Sequence, residues 1–465
     1  MNLVQSCFNY YFKINSRYTL INNTLTGALD IIDNNIWHLV TSKKFNSINA
    51  EILLNLIDRG YFYYDLKKED EILVKLYNNY IKKASSRPLR FVFCPSYQCN
   101  LRCIYCFEKE LPSNPNKFMS ERILGDSINA ANKISKEKSG KVDSVELFGG
   151  EPLLLKSKPL IKKILKFAKD KDAPITIVTN GVMAKDLIDI LLLVKEKIEM
   201  LQITVDGPPE IHDKRRKFPS GKGSFNEISK SIDLLLKNNI NTNIRVNIDN
   251  TNIEEIPGLY EYVSKKGWLE HPNFSIRLAP VTDHSTLDYN NVIIPEEKLL
   301  ERLIEVYNKY PVLEDLFGFH LFKPLRHILE ITGGAPNVSP KFFNCESNLL
   351  ELNVFCPDGY IYACGESIGK PDYAIGKFSP ELEFYSDKKK LWTERTILNI
   401  EKCRTCKFAP LCGGGCAYSS ILIYKDNIKP ICERYQEVLD TFLKLRGEKI
   451  LKKFIDGLSK DIPVE

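Results

Sequence analysis

The sequence predicts an α/β protein built around a parallel sheet, and two observations carry that expectation. Between about residues 90 and 280, strand-like and helix-like segments alternate in the rhythm of βα units. The strand-like segments also alternate in polarity. Leu201, Ile203 and Val205 interleave with Gln202, Thr204 and Asp206, and Ile244, Val246 and Ile248 with Arg245 and Asn247. Phe274, Ile276 and Leu278 interleave with Ser275 and Arg277. A parallel strand buried on both faces reads as continuous apolar sequence. Side chains alternate between faces, so these strands predict an apolar face for helices and a polar face turned inward. An antiparallel sheet with one solvated face gives the same alternation, but the intervening helical segments argue against it.

Single elements follow the same logic. The run Val145-Glu-Leu147 predicts the second strand and residues 174–178 the third. Ser224-Phe-Asn-Glu227 reads as a capping box, with Ile228, Ile232, Leu235 and Leu236 following at helical spacing. At 465 residues the chain has room for two or three domains. It has no run of about eighteen apolar residues and no cleavable signal pattern, which predicts a soluble cytoplasmic protein. The net charge of +6 is small for this length. Lys162-Lys163, Lys388 to Lys390 and Lys452-Lys453 read as solvated faces, so neither nucleic acid nor membrane is expected as a partner.

The chemistry concentrates in Cys99-Asn-Leu-Arg-Cys103-Ile-Tyr-Cys106, a C-x3-C-x2-C spacing with no fourth cysteine at a matching interval. Three soft thiolates on one short loop suit an iron–sulfur cube, each holding one iron corner. A four-iron cube with three protein ligands leaves one iron open to a further ligand. Zinc normally takes four ligands and disulfides are rare in a cytosolic chain, so both fit the spacing less well.

This run, with Tyr105 ahead of its third cysteine, resembles the cluster loop of the radical S-adenosylmethionine (radical SAM) superfamily. Further motifs fall in that family's order: Phe148-Gly149-Gly150-Glu151-Pro152, Thr179-Asn180-Gly181, and Thr204-Val-Asp206-Gly207-Pro208. Glu210-Ile-His212-Asp213, Arg216 and Gly221-Lys-Gly223-Ser224-Phe225 then resemble the fourth-strand signature of peptide-modifying members. The resemblance implies a partial (β/α)6 TIM-like barrel with its site at the C-terminal ends of the strands. It implies a [4Fe-4S] cluster with an open iron on Cys99, Cys103 and Cys106, and SAM chelated there. Gly149, Gly150 and Glu151 would receive the SAM amino end, Thr204 and Arg216 its carboxylate, and Asn180 would lie near the cofactor. Reductive cleavage of SAM would give a 5′-deoxyadenosyl radical, with the protein supplying orientation and protection.

A second constellation lies in the C-terminal third. Cys403-x2-Cys406-x5-Cys412-x3-Cys416 is followed after fifteen residues by Cys432, and Cys345-x13-Gly359-x4-Cys364 precedes it. This pattern resembles the seven-cysteine SPASM domain, which holds two auxiliary iron–sulfur clusters, expected here as [4Fe-4S]. By position, Cys345, Cys364 and Cys416 would bind the first and Cys403, Cys406, Cys412 and Cys432 the second. Gly359 would form a hairpin tip, for which Pro357-Asp358-Gly359 is itself a turn signal. Cys356 is either a fourth ligand of the first auxiliary cluster or a small apolar residue on the hairpin. Cys94 and Cys7 read as ordinary thiols.

Three domains are therefore expected: a head over 1–85, a radical SAM core over 86–310 and a SPASM domain over 311–465. In the head, the run from Tyr18, the apolar stretch around Ile31, Trp37 and Leu39, and the run from Leu56 to Tyr64 suggest strand, helices and strand. This small α+β pattern resembles the winged-helix elements that recognise leader peptides by adding them to a sheet edge. A plain structural extension fits as well. The whole resemblance implies a maturase that abstracts hydrogen from a ribosomally made precursor peptide and forms a thioether or carbon–carbon crosslink, served by a flavodoxin- or ferredoxin-type reductant. An anaerobic sulfatase-maturating enzyme, which makes formylglycine, is the alternative; those relatives place an aspartate directly after the hairpin cysteine, where this chain has Cys364-Gly365-Glu366. A non-catalytic zinc or electron-transfer protein would explain the C-terminal cysteines but not the glycine-rich motifs.

Overall fold

The chain opens with three antiparallel strands, β1 (Asn9–Lys13), β2 (Tyr18–Asn23) and β3 (Ala28–Asp33), paired in that order. The computed structural model describes residues 3–65, 67–106, 108, 117–138, 141–282, 292–334 and 339–458. The stretch around Ile31, expected as helix, is the third strand. Helix α1 (Asn34–Thr41) starts only after Asp33, whose carboxylate accepts the Asn35 N–H, an N-cap that ends the strand and begins the helix. Helix α2 (Ala50–Asp58) is capped in the same way by Asn49.

This head shares its cores with the rest of the chain. One face of its sheet sends Tyr10, Leu20 and Leu29 into the main hydrophobic core, while Ile21, Ala28 and Ile32 pack beneath α1 and α2. Helix α3 (Lys67–Ser85) packs Leu73, Tyr77 and Tyr80 against Phe342, Phe343 and Ile400.

Six βα units follow. Strands β4 (Leu89–Phe93), β5 (Val142–Leu147), β6 (Ile175–Thr179), β7 (Ile198–Thr204), β8 (Thr242–Ile248) and β9 (Phe274–Pro280) pair in parallel in sequence order. Helices α4 (Glu121–Lys138), α5 (Lys158–Asp170), α6 (Ile188–Leu192), α7 (Phe225–Lys237), α8 (Ile256–Lys265) and α9 (Glu296–Lys309) each follow one strand. The expected alternation is realised. Leu201, Ile203, Ile244, Val246 and Ile248 are buried with the helices, whereas Gln202, Thr204, Arg245 and Asn247 line an interior cavity. Helix α5 shows why the layers hold: Leu160, Ile161, Ile164, Leu165 and Ala168 recur on one buried face. Each such Leu or Ile contributes roughly 1.5–3 kcal/mol.

The sheet does not stop at β4. Strand β10 (Leu352–Phe355) pairs in parallel with it, Phe355 opposite Phe93, and hairpin partner β11 (Tyr360–Tyr362) turns back through Gly359. Two short strands, β12 (Gly376–Lys377) and β13 (Glu383–Phe384), complete ten strands in the order β9-β8-β7-β6-β5-β4-β10-β11-β12-β13. A closing helix, α10 (Tyr435–Leu458), buries Val438, Leu439 and Phe442 in the main core. Among the described residues no helix is long and apolar enough to cross a membrane.

The capping box expected at Ser224 is not made. Ser224 Oγ donates to the Arg216 carbonyl and meets His212 Nε2, while Glu227 pairs with Lys185 and Lys230. The carboxylate of Asp213 caps α7 instead, accepting the Phe225 N–H at 2.8 Å. Only glycine at 223 allows this, because a Cβ there would stand 2.0 Å from the Asp213 carboxyl carbon.

One contact between head and core makes stability pH-dependent. His327 is buried and its Nε2 accepts from Asn22 on β2 at 2.8 Å. Burial pushes its pKa down to about 4. Above about pH 6.5, the unfolded value, neither state carries the proton. Below it only the unfolded chain gains one, so stability is lost as pH falls toward 4, on the order of 1.4 kcal/mol per unit. Denaturant midpoints should fall across this window, and His327→Gln, which keeps an acceptor for Asn22, should flatten that fall; an equal slope in the variant would remove the assignment.

Candidate active site

At the C-terminal ends of the barrel strands lies a cavity of ≈ 270 Å³. Cys99, Cys103 and Cys106 form one wall, and Gly149, Gly150, Thr179 and Asn180 another. Gln202, Thr204, Arg216, Arg245 and Asn247 add to the lining from β7, β8 and the segment after β7. Every residue that the motifs placed near SAM therefore lines one space.

The two glycines serve backbone contact. A Cβ on Gly150 would fall 2.6 Å from the carbonyls of Tyr97 and Gln98, and one on Gly149, at φ +113°, 2.3 Å from Cys94 Sγ. The loop after β5 can thus lie directly on the start of the cysteine loop, where Gly150 N–H donates to Ser96 and Glu151 N–H to Gln98. The sequence reading gave Glu151 to SAM. Its carboxylate is already engaged: Oε1 accepts from Thr179 Oγ1 (2.5 Å) and Leu153 N–H (2.8 Å), and Oε2 from Asn180 N–H (2.7 Å). Burial pushes its pKa up against those donors and Arg216. Glu151 therefore braces the loop against the end of β6 while still lining the cavity beside the glycine backbone.

Tyr105 is the hub on the opposite side. Its hydroxyl donates to Asp206, accepts from Arg216 at 2.8 Å and lies 3.1 Å from Asn247 Nδ2. Burial works against the charge of Arg216, but Cys103, Tyr105 and Asp206 outweigh it and hold the guanidinium well above its ordinary value. Among the described residues Arg216 Nε has no hydrogen-bond partner. His212 accepts the Asp206 N–H through Nδ1, and burial, with Arg216 and Arg215, holds it neutral. Arg215 makes a two-pronged pair with Asp249 at 3.1 and 2.6 Å. The Asp-Gly-Pro motif and its followers thus position Arg216 through a buried network.

Burial pushes Cys99 up to about 12 and Cys106 up to about 11, so ligation would have to displace their protons. Among the described residues no three His, Cys, Asp or Glu side chains converge as single-ion ligands do.

In the C-terminal third, the neighbouring thiols of Cys364 are Cys416 and Cys345. Cys403 neighbours Cys406 and Cys432, and Cys412 neighbours Cys403 and Cys406. Cys356 stands apart from both groups. It is fully buried, its thiol against that of Cys94 just after β4.

Two residues were missed as cavity groups. Glu108 and Glu366 both line the cavity, and burial, with Glu366 and Glu151 adding, pushes Glu108 up to about 8. Each lies two residues beyond a cluster-motif cysteine, which was the available signal.

A barrel with three thiols and a glycine loop at its mouth defines the class. Residues 93–263 match the model of the radical SAM superfamily, so this part of the chain is a radical SAM domain. It is 27% identical over 334 residues to the cysteine-type anaerobic sulfatase-maturating enzyme of Clostridium novyi, covering 69% of this chain and 85% of that protein. The structure of anSMEcpe with bound AdoMet superposes with TM-score 0.60 at 20% identity, over 80% of this chain and 96% of that one. Streptococcus suis SuiB bound to precursor peptide SuiA gives TM-score 0.55 at 18% identity, over 94% of this chain and all of that one. The family implies a [4Fe-4S] cluster and SAM.

Glu151→Gln should cost about 1–3 kcal/mol, because an amide N–H2 would then face a buried N–H. Chemical denaturation of the purified protein measures it, and an unchanged midpoint would show that the brace is dispensable.

Proposed function

We propose that this enzyme is a radical SAM/SPASM maturase that abstracts hydrogen from a ribosomally made precursor peptide and leaves a thioether or carbon–carbon crosslink. The reach of the structural likeness carries this reading. The SuiB fold spans 94% of this chain against 80% for anSMEcpe. The 6% left over is about 28 of 465 residues, fewer than the 85 of the head. On this reading residues 1–85 are a recognition head, 86–310 the radical SAM core and 311–465 the SPASM part. A chain that keeps so many thiolates suits a reducing compartment, the cytoplasm, with a flavodoxin- or ferredoxin-type reductant.

The residues fit the cofactors. Cys99, Cys103 and Cys106 would hold the [4Fe-4S] cluster, Gly149, Gly150 and Glu151 would take the SAM amino group, and Thr204 and Arg216 its carboxylate. The orphaned Nε of Arg216 is the kind of donor such a carboxylate satisfies. Asn180 Nδ2, 3.6 Å from Cys99 Sγ, would lie beside the cofactor. Cys345, Cys364 and Cys416 would hold one auxiliary cluster and Cys403, Cys406, Cys412 and Cys432 the other. When bound, these groups supply a 5′-deoxyadenosyl radical and a path for the electron left on the substrate. The chain itself orients the peptide over the cavity and keeps water from it.

The head offers a way to hold the peptide. In the β1–β2 ladder the even-numbered residues of β1 bond inward, as Ile14 N–H to Tyr18 and Thr24 N–H to Phe8 indicate. Tyr11 and Lys13 therefore turn their amides outward, into a cleft of ≈ 610 Å³ lined by those residues and by Glu301, Asn308, Asp440 and Lys444 of α9 and α10. A leader could pair there as a strand.

Formylglycine formation is the second reading, favoured by the sulfatase-maturating relative and by Glu366, which reaches the cavity despite its shift along the chain. Anaerobic reaction with a co-encoded precursor and with a cysteine peptide of sulfatase type separates the two. A crosslink removes two hydrogens, whereas formylglycine also exchanges sulfur for oxygen, and mass spectrometry distinguishes the products. Failure to modify either peptide would count against both.

Replacing Cys99, Cys103 and Cys106 together with Ala should abolish 5′-deoxyadenosine formation and lower iron by about one cube in three; continued SAM cleavage would sink the cluster assignment. For the head, Tyr11→Pro or Lys13→Pro removes an outward donor and leaves the inner ladder intact. Peptide binding should weaken at least tenfold while uncoupled SAM cleavage persists. Wild-type binding in both variants would show the head to be structural only. Deleting the head is a poorer test, because Tyr10, Leu20 and Leu29 belong to the main core.

A further inference from the structure

Arg395 is only 1% exposed and lies in the C-terminal third, away from the barrel cavity. Its guanidinium is held by neutral oxygens. Nη2 donates to the Gly414 carbonyl at 2.6 Å, and Nη1 to the carbonyls of Asn427 (2.5 Å) and Lys429 (2.8 Å) and to Ser420 Oγ (3.1 Å). Longer contacts of 3.4 Å run from Nε and Nη2 to the Gly415 carbonyl. Among the described ion pairs it has no carboxylate partner.

The loop it grips, Gly413-Gly414-Gly415, joins Cys412 to Cys416. All three glycines are left-handed, at φ +70°, +86° and +76°. A Cβ at 413 would meet the Phe343 carbonyl at 2.2 Å, and one at 415 the Ile431 carbonyl at 1.9 Å. Ile431 immediately precedes Cys432 and donates its N–H to Gly414. Arg395 therefore fixes the backbone from which Cys412, Cys416 and Cys432 all project.

Burying a cation among carbonyls is costly unless negative charge lies near it. Burial lowers the Arg395 pKa, and the thiols of Cys403, Cys416 and Cys412, followed by Asp426, work against that shift. Those thiols carry charge only when they are ligands. Lys402 also faces Cys403, but it is exposed and screened by water.

We infer that Arg395 is the built-in counter-charge of the auxiliary cluster held by Cys403, Cys406, Cys412 and Cys432, and that it raises the reduction potential of that cluster while clamping the triple-glycine loop. Arg395 is a positioning residue, and this inference rests on the reading that those cysteines hold a cluster. Cluster potentials respond to nearby charge and to hydrogen bonding around the sulfurs.

The test uses anaerobically prepared holoprotein carrying Ala at Cys99, Cys103 and Cys106, so that only auxiliary clusters contribute to the electron paramagnetic resonance signal. Arg395→Gln keeps hydrogen-bond donors and loses the charge. Arg395→Lys keeps the charge and loses most of the donors. At a fixed solution potential the reduced-to-oxidised ratio of the auxiliary signal should fall at least tenfold in Arg395→Gln, about 59 mV for one electron. In Arg395→Lys it should stay within about threefold of the parent. If Arg395→Gln does not accumulate, Arg395→Lys alone decides: a tenfold fall there overturns the inference. So does an unshifted Arg395→Gln with full iron. Absence of iron and sulfide from the parent protein would instead overturn the cluster reading itself, and the inference with it.

Discussion

The site depends on a backbone-to-backbone contact that only glycine permits. The loop after β5 lies against residues 96–98 at a separation that leaves no room for a Cβ at 149 or 150. That contact fixes where the cysteine loop begins. The Glu151 carboxylate then ties the same loop to Thr179 and Asn180 at the end of β6. Three strand ends are thereby locked by short hydrogen bonds, and the cysteines project from the locked side. On the far wall Tyr105 repeats the device, linking the cysteine loop to Asp206 after β7 and Asn247 on β8. A cavity built this way has rigid walls before any ligand enters, which lowers the ordering that binding requires.

The pairing of β10 with β4 has a consequence for the cysteines beyond the barrel. Cys94 N–H donates to the Phe355 carbonyl, so the hairpin that leads to Cys364 is an extension of the first barrel strand. Glu366 reaches the cavity through the same connection, and Gly365 packs against Phe148 of the glycine motif. The C-terminal third is therefore registered to the active site by ladder hydrogen bonds. The head is tied in similarly, through Thr24 to Lys407, Tyr10 to Asp440 and Asn22 to His327. Three sequence regions share one packed body.

What the sequence disclosed was what short-range chemistry controls. Cysteine spacing, glycine motifs and two-residue polarity alternation each depend on neighbours within a few positions, and the barrel, its polar lumen and the residues of its mouth were legible from them. The losses are long-range. Ile31 reads as part of an apolar helical stretch, and only Asp33 as N-cap and pairing with β2 make it a strand. Ser224 and Glu227 carry a capping-box pattern, but His212, Arg216 and Lys185 claim their side chains. That Glu151 also braces its loop on Thr179, 28 residues away, has no local sign in the sequence. Arg395, in a polar stretch, has no local sign of being buried.

Charge in the cavity follows from the same architecture. Arg245 and Arg277 are register partners on β8 and β9; burial lowers both below their ordinary value, helped by Arg277 at Arg245 and by Arg326 at Arg277. Across the mouth stand Glu108 and Glu366, of which Glu366 favours the charge of Arg245. A lumen lined on one side by guanidinium groups and on the other by carboxyls has a built-in polarity. The alternation that first marked these strands is thus also what gives the cavity its direction.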